Sequence, residues 1–360
     1  MYTRWNARGL SKDEIRGSFS PTILKLLYYN SMNILITGGT GFIGRKLIPE
    51  LLKQEHKISV LCRSREKAEK ILPKECRIIL GDITNAESLK GCCDGIDMVY
   101  QLVGLSGNEL PSDYQFERFR KVNVEGLCNI VEEAERAHVK RFIQVSSIAA
   151  MGIVKQMPIN AESKCEPYLP YQVSKREGEL LVLKEVRDKN FPAIIIRPAK
   201  VYGVGGEDSY QSIIKMCKRG VFPKVGLKDT QISHCYVDDL ITTLSLLTRK
   251  GKIGETYICA TEKGVGFYES VKLVADIMGK KVRMIPIPRW LMASLAYCIE
   301  VVFGWMGKKA PVTRRNVIAA TTDRIYDFTA NKRDIGFVSS VTMEEGIRRC
   351  VEYNQEMGLW

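Results

Sequence analysis

Residues 32–44 constrain the fold of this chain more than any other stretch, because an apolar run leads there into closely spaced glycines. Residues 34–36 predict a buried strand, and the apolar positions within 45–54 recur with helical spacing. Glycine is needed where such a strand turns sharply, where backbone approaches a pyrophosphate, and where the following helix packs close to the strand. A strand, a tight turn and a helix in this order predict a dinucleotide site at the amino terminus of the helix. The predicted cofactor contacts in this segment are Gly38, Thr40, Gly41, Phe42, Ile43 and Gly44.

Short strand-like runs alternate with helical segments through the next part of the chain. This alternation predicts an α/β fold with a doubly wound parallel sheet, which binds its ligands at the carboxyl ends of the strands. The predicted strands after the first are 57–63, 77–80, 97–103, 141–146 and 194–197, the last of them stopped by Pro198.

The end of the strand 57–63 carries a cation where dinucleotide-binding folds usually place an acid. About twenty residues past the glycines an acid would hold the adenosine ribose of NAD, but this chain has Arg63, followed by further basic residues. A carboxylate would repel a 2′-phosphate, whereas a guanidinium binds one through two hydrogen bonds. The sequence therefore predicts NADP as the cofactor, with NAD as the alternative. Asp82, after the strand 77–80, is predicted to accept a hydrogen bond from the adenine amine.

The part of the chain that follows the strand 141–146 contains a predicted acid–base set of three residues. Ser147 follows that strand directly, and Tyr171 and Lys175 lie four residues apart near the start of a predicted helix, so they share one helix face. An ammonium near a phenol favours the phenolate, which lets Tyr171 give or take a proton while Ser147 hydrogen-bonds the reacting oxygen. Lys175 is also expected to reach the nicotinamide ribose. The set predicts hydride transfer between a nicotinamide and a carbonyl or alcohol.

The composition is typical of a globular protein in a reducing compartment. Apolar residues make up 45% of the chain, and its eleven cysteines have neither metal-ligand spacing nor a secretory signal before them. We therefore expect core thiols, no metal site and a cytoplasmic location. The net charge of +13 is dispersed among acids rather than collected in a basic tract, which argues against nucleic acid and fits an anionic ligand or membrane surface.

These motifs together resemble the extended short-chain dehydrogenase/reductase family, which includes nucleotide-sugar epimerases, dehydratases and reductases. The resemblance covers most of residues 32–350 and rests on segments 37–44, 81–82, 146–147, 171–175, 197–203 and 236–240. It implies a Rossmann cofactor-binding domain at 32–200, a smaller α/β carboxyl-terminal substrate lobe at 201–360 interleaved with that domain, and a homodimer. Residues 1–31 would then be an amino-terminal extension, to which no role is assigned. Further implied cofactor contacts are Ile83, Leu102, Val103, Gly104, Asn123 and Pro198.

Two departures from the family pattern bear on the substrate. Ser147 is not followed by the Asp-Glu pair of the sugar dehydratases, so dehydration is not expected. Sugar-nucleotide epimerases usually have an asparagine after the sixth strand and an arginine before the Val-x-Asp segment, where this chain has Lys200 and the uncharged residues 231–233. We expect Lys200 to bind the substrate, through a phosphate.

Three interpretations of the function follow. The leading one is an NAD(P)-dependent nucleotide-sugar 4-epimerase or 4-ketoreductase. The first alternative is a dehydrogenase or reductase that acts on a sterol-like, isoprenoid or lipid-linked substrate. The second is a cofactor-binding subunit without activity.

Residues 290–306 form an almost continuous apolar stretch that contains one acid, Glu300, and has basic residues at both ends. Seventeen residues with an acid among them are marginal for crossing a bilayer. We expect a helix packed in the substrate lobe, with a lipid-facing helix in peripheral membrane contact as the alternative. Similar helices in sterol-dehydrogenase-like members of the family favour a hydrophobic or lipid-linked substrate.

Overall fold

The structure, a computed structural model, describes residues 31–107, 112–154, 156–206, 210–226, 228–306, 310 and 312–359. Apart from Ser31, the expected extension 1–31 lies outside the described residues.

A parallel sheet of seven strands forms the centre of the fold, in the spatial order β11-β6-β5-β4-β1-β2-β3. Six of these strands were predicted, and no end of theirs is shifted by more than two residues in the structure. The seventh, β11, comes from much later in the chain and pairs with β6, Thr256 lying opposite Ile195. The doubly wound α/β fold is therefore confirmed. The strands are β1 Asn33–Thr37, β2 Lys57–Cys62, β3 Arg77–Leu80, β4 Met98–Gln101, β5 Arg141–Val145, β6 Ala193–Pro198 and β11 Thr256–Cys259.

Helices cover both faces of this sheet, and six short strands pair outside it. Pairs β7–β10 and β8–β13 are parallel, and pair β9–β12 is antiparallel. The short strands are β7 Val201–Tyr202, β8 Val221–Val225, β9 Gln231–Ile232, β10 Cys235–Tyr236, β12 Val265–Gly266 and β13 Arg283–Ile287. The helices are α1 Phe42–Lys53, α2 Arg65–Ile71, α3 Asp113–Arg120, α4 Gly126–Arg136, α5 Pro170–Lys189, α6 Gln211–Lys218, α7 Val237–Leu246, α8 Phe267–Ile277, α9 Arg289–Trp305, α10 Arg314–Ala320 and α11 Met343–Glu356.

Alternate side chains of β1 enter two different cores, as a strand buried on both faces requires. Ile34 and Ile36 lie in the core that α1 and α7 cover, and Leu35 lies in the core that α4 and α5 cover. All three are fully buried, and each such side chain contributes about 1.5 to 3 kcal/mol to stability. A third core, around Tyr202 and Ile347, joins α6, α8 and α11.

Helix α9 corrects one expectation, because its outer face is not packed. Trp290 is 70% and Trp305 is 87% exposed, and Ala296 is the one fully buried residue of the helix. Its inner face meets a small apolar cluster that includes Val225 and Val317. The reason is geometric: the neighbouring elements cover one side of a helix that is apolar nearly all round. None of the helices in the described ranges is both long and apolar enough to cross a membrane.

Candidate active site

The turn after β1 has the close contacts that only glycine allows. Gly38 has a φ of +71°, and a side-chain carbon there would lie 3.0 Å from the Val103 nitrogen. A Cβ at Gly44 would lie 2.5 Å from the Cα of Gly39, so the first turn of α1 packs directly on the backbone that leaves β1. A backbone cradle this free of side chains fits a dinucleotide pyrophosphate.

The ends of β2 and β3 bring two predicted cofactor residues together. The Arg63 Nη1 lies 4.0 Å from Oδ2 of Asp82. The other Asp82 oxygen accepts hydrogen bonds from the backbone nitrogen and the hydroxyl of Thr84, at 2.9 and 2.8 Å. These hydrogen bonds, with the nearby charge of Arg63, lower the pKa of Asp82. Asp82 is thus an anion beside the guanidinium.

A cleft of about 660 Å³ opens at the carboxyl ends of the strands, bounded on its far side by the carboxyl-terminal segments. Its lining includes eight of the predicted residues: Ile43, Leu102, Gly104, Ser147, Tyr171, Lys175, Pro198 and Lys200. The other predicted contacts lie outside this lining, in the glycine turn, at the ends of β2 and β3, at the end of β4 and in the segment between α3 and α4. They are Gly38, Thr40, Gly41, Phe42, Gly44, Arg63, Asp82, Ile83, Val103 and Asn123.

The three predicted catalytic side chains share this cleft. Ser147 follows β5, and its hydroxyl oxygen accepts a hydrogen bond from the Ala149 nitrogen at 3.1 Å. Tyr171 is the second residue of α5, and its ring lies 5.9 Å from that of Phe119. Lys175, one turn later, is buried, and its Nζ donates to the Val145 carbonyl at 3.3 Å. The Lys175 ammonium therefore contacts the last residue of β5, two residues before Ser147.

Burial lowers the pKa of Lys175 to about 8, an effect that the charge of Glu179 opposes. The ammonium group sits beside Gly104, where an added Cβ would be 2.8 Å from Nζ. Gly104, in the loop after β4, thus leaves room for the lysine head group. A lysine in this setting remains mostly protonated at neutral pH but titrates close to it.

A buried polar network that the sequence motifs did not predict lies behind the lysine. Glu179 is fully buried and accepts hydrogen bonds from Nε and Nη2 of Arg197, each at 2.8 Å, and from the Ser146 hydroxyl at 2.7 Å. Its signal was present, because Tyr171, Lys175 and Glu179 follow one another at helical spacing.

The structure also places two cations and a histidine together in the cleft. The backbone of Arg324 pairs with β9 and the residue after it: its nitrogen donates to the Gln231 carbonyl at 2.8 Å, and its carbonyl accepts from the Ser233 nitrogen at 3.1 Å. Arg324, Lys200 and His234 all line the cleft. Burial, together with the charges of Lys200 and Arg324, lowers the pKa of His234 well below its usual value. Arg324 thus lies beside residues 231–233, a segment that contains no arginine of its own. Because Arg324 is far from this segment in the chain, no local spacing could have predicted the contact.

Asn123 lies beneath the loop that follows β4. Its carboxamide oxygen accepts from the Leu105 nitrogen at 2.8 Å, and its Nδ2 donates to the Leu105 carbonyl and to the Ser174 hydroxyl, each at 2.9 Å. These contacts join the loop to α5, and direct cofactor contact by Asn123 stays a prediction.

All eleven cysteines are free thiols. Within the ranges described, no group of three or more His, Cys, Asp or Glu side chains could hold a metal ion.

Comparisons with known proteins agree with this geometry. Residues 34–260 match the model of the NAD dependent epimerase/dehydratase family. The chain is 26% identical over 341 residues to a 3 beta-hydroxysteroid dehydrogenase/Delta 5→4-isomerase of Mycobacterium tuberculosis, covering 89% of this chain and 90% of that protein. It is also 26% identical over 329 residues to the N-acetyl-alpha-D-glucosaminyl-diphospho-ditrans,octacis-undecaprenol 4-epimerase of Escherichia coli, covering 89% and 95%.

Among solved structures, the fold is similar to that of UDP-glucuronic acid 4-epimerase from Bacillus cereus in complex with NAD. The TM-score is 0.71 at 19% identity, and the match covers 91% of this chain and 99% of the other. The resemblance inferred from the motifs is therefore confirmed. Because the family model spans more than half of the chain, the chain belongs to the NAD dependent epimerase/dehydratase family and is an NAD(P)-dependent enzyme of the extended short-chain dehydrogenase/reductase type.

Proposed function

We propose that this enzyme transfers a hydride between its nicotinamide cofactor and a secondary alcohol or ketone, with Ser147, Tyr171 and Lys175 as the catalytic residues. The observation that carries the proposal is that these three side chains line one cleft next to the glycine turn. The cofactor, when bound, supplies or accepts the hydride. The Tyr171 hydroxyl gives or takes the proton, the Ser147 hydroxyl donates a hydrogen bond to the reacting oxygen, and the Lys175 ammonium stabilises the phenolate.

The proposed cofactor is NADP, in a family whose name refers to NAD. Support comes from Arg63, whose side chain is 82% exposed at the end of β2. The ion pair between Arg63 and Asp82 is exposed and long, so it restrains the guanidinium only weakly. Arg63 can therefore turn toward a 2′-phosphate, whereas a carboxylate at its position would repel one.

For the substrate, a nucleotide-sugar is our first candidate, and the reaction is 4-epimerisation or reduction of a 4-keto group. Lys200 and Arg324 support it, because two cations that line the cleft and both act on His234 suit a diphosphate. The Bacillus cereus protein with a similar fold is a UDP-sugar epimerase by name.

An apolar or lipid-linked alcohol is the second candidate, and a different part of the cleft favours it. Met151, Val154 and Ile159 line the cleft with buried apolar side chains, and such a wall suits a sterol-like or isoprenoid substrate. By its name the Mycobacterium tuberculosis relative acts on a hydroxysteroid, and the Escherichia coli relative acts on a sugar linked to undecaprenol.

The two candidates can be separated with purified protein and two substrate panels. UDP-sugars are incubated with the enzyme, epimers are followed by chromatography, and net redox is followed by NADPH absorbance; sterol and isoprenoid alcohols are tested in the same way. For a nucleotide-sugar, Lys200→Ala and Arg324→Ala should each raise KM by about tenfold or more while kcat changes little. Lys272→Ala, an exposed cation on α8, is the matched control and should leave KM unchanged.

Turnover of an apolar alcohol without any turnover of UDP-sugars, and with no effect of Lys200→Ala, would establish the second candidate instead.

We further propose that the enzyme works in the cytoplasm as a homodimer. Tyr114 on α3 and Leu180 on α5 are exposed apolar residues on neighbouring helices, which supports pairing through these helices. Light scattering of Leu180→Glu against the wild type measures the oligomeric state.

A further inference from the structure

The outer face of α9 is an exposed apolar surface that the active site does not explain. The helix has 17 residues and is about 25 Å long. Exposed large side chains follow it from end to end: Trp290, Leu291, Leu295, Tyr297, Val302 and Trp305. Ile285 and Val221, on the paired strands β13 and β8, are also exposed and apolar.

The single acid of this helix does not interrupt the face. Both carboxylate oxygens of Glu300 bind Arg314, one accepting from its backbone nitrogen at 3.0 Å and the other from its Nε at 2.7 Å. The Glu300 side chain is only 7% exposed. Glu300 is therefore neutralised on the protein side of α9, and residues 281–306 contain no other acid.

Cations lie at the amino-terminal side of this face. Lys280, Lys281, Arg283 and Arg289 are all exposed, and none forms an ion pair with a carboxylate in the described part of the chain. The face thus combines aromatic residues at both ends of an apolar helix with unpaired positive charge beside it. Tryptophan and tyrosine are enriched where proteins meet the boundary between lipid and water, and basic residues are attracted to anionic head groups.

We propose that the outer face of α9 docks on an anionic lipid surface, with the helix axis parallel to that surface. A second copy of the chain is a poorer occupant, because a two-fold contact through this face would bring the same unpaired cations of both copies into one interface. Anionic lipid instead supplies the opposite charge to Arg283 and Arg289 and an apolar phase for the two tryptophans.

Docking would also orient the active site. Helix α10 packs against the inner side of α9, and its residues Asn316 and Ile318 line the cleft. A docked α9 would therefore lie between the lipid and one wall of the cleft. The proposal does not depend on the identity of the substrate, since the surface is defined without it.

Vesicle co-sedimentation of the full chain tests the proposal. The wild type should bind phosphatidylcholine vesicles that contain phosphatidylglycerol, and bind them less at high salt. Trp290→Glu/Trp305→Glu should lower the partition coefficient by about tenfold or more, because both apolar anchors become charged. Arg283→Ser/Arg289→Ser should lower it by about fivefold for each charge removed, on the anionic vesicles alone.

The matched control is Val338→Glu/Met357→Glu, which places two carboxylates at apolar residues that are each 57% exposed elsewhere on the surface. It should bind vesicles like the wild type. In a Trp5→Phe/Trp360→Phe background, which leaves only the two α9 tryptophans, emission should shift to shorter wavelength when vesicles are added.

Three results would overturn docking on lipid: no sedimentation of the wild type with anionic vesicles, an equal loss of binding in the control variant, or self-association of the wild type that Trp290→Glu/Trp305→Glu abolishes. Titration of dinucleotide into every variant keeps this test separate from the enzymatic one. Failure of the wild type to bind dinucleotide would contradict the proposed function. The vesicle result tests only whether the outer face of α9 docks on lipid.

Discussion

The Glu179 carboxylate of α5 receives the Arg197 guanidinium of β6 through two parallel hydrogen bonds, each 2.8 Å long. Both side chains are almost completely buried. The pair joins the helix that carries Tyr171 and Lys175 to the strand that ends at Pro198. Since Ser146 also donates to Glu179, the network ties that helix to the end of β5, next to Ser147.

We expect Glu179→Gln to destabilise the fold by about 3 to 5 kcal/mol, measured by urea denaturation, because it leaves a buried guanidinium without its counter-charge. Glu177→Gln on the same helix is the matched control: Glu177 pairs with Arg120 at the surface, and its loss should cost about 1 kcal/mol or less. The double variant Glu179→Gln/Arg197→Met removes both charges and should recover part of the stability. A single variant as stable as the control would show that the pair does not hold α5 in place.

Tyr171→Phe keeps the ring and removes the hydroxyl that is proposed to move the proton. Turnover should fall by about 100-fold or more, while dinucleotide affinity, measured by fluorescence titration, stays close to that of the wild type. Tyr168→Phe, at a second tyrosine that lines the cleft, serves as the control and should retain activity. Full activity in Tyr171→Phe would remove this residue from the mechanism.

The lowered pKa of Lys175 predicts a pH dependence of stability. The unfolded lysine titrates at 10.5 and the folded one at about 8, so the unfolded chain binds more protons between these values and stability rises with pH across the window. Between about pH 7.5 and about pH 9.5 the difference in unfolding free energy between wild type and Lys175→Met should rise by about 2 kcal/mol in favour of the wild type. Subtracting the variant cancels the titration of the other groups. A difference that does not vary with pH would mean that the lysine has an ordinary pKa.

Arg63→Ala should weaken NADP binding by about 1.5 to 3 kcal/mol, which is roughly 10- to 150-fold, because a guanidinium–phosphate pair is lost. NAD has no 2′-phosphate, so its affinity should be almost unaffected. Isothermal titration of both dinucleotides into wild type and variant measures the two effects. Equal affinity of the wild type for NAD and NADP would contradict the assigned preference, whatever the variant does.

The cofactor half of this protein could be predicted because its signals are local. Buried parallel strands show as apolar runs, the turn after β1 needs glycine for reasons of close packing, and Tyr171 and Lys175 share a face because they are four residues apart on one helix. Each of these signals depends on the backbone geometry of a few consecutive residues. The family model and the seven-stranded sheet confirm the predicted family and fold.

Tertiary structure decided the cations of the cleft, the seventh strand and the exposure of α9, because these features depend on which distant segments meet. Arg324 meets β9 only through pairing between residues far apart in the chain, and the seventh strand joins the sheet in the same way. Whether α9 is covered depends on how many neighbours pack around it, which an apolar sequence does not reveal. The sequence by itself determined the cofactor fold and the proposed catalytic set, whereas the cations of the cleft and the open face of α9 came from long-range packing.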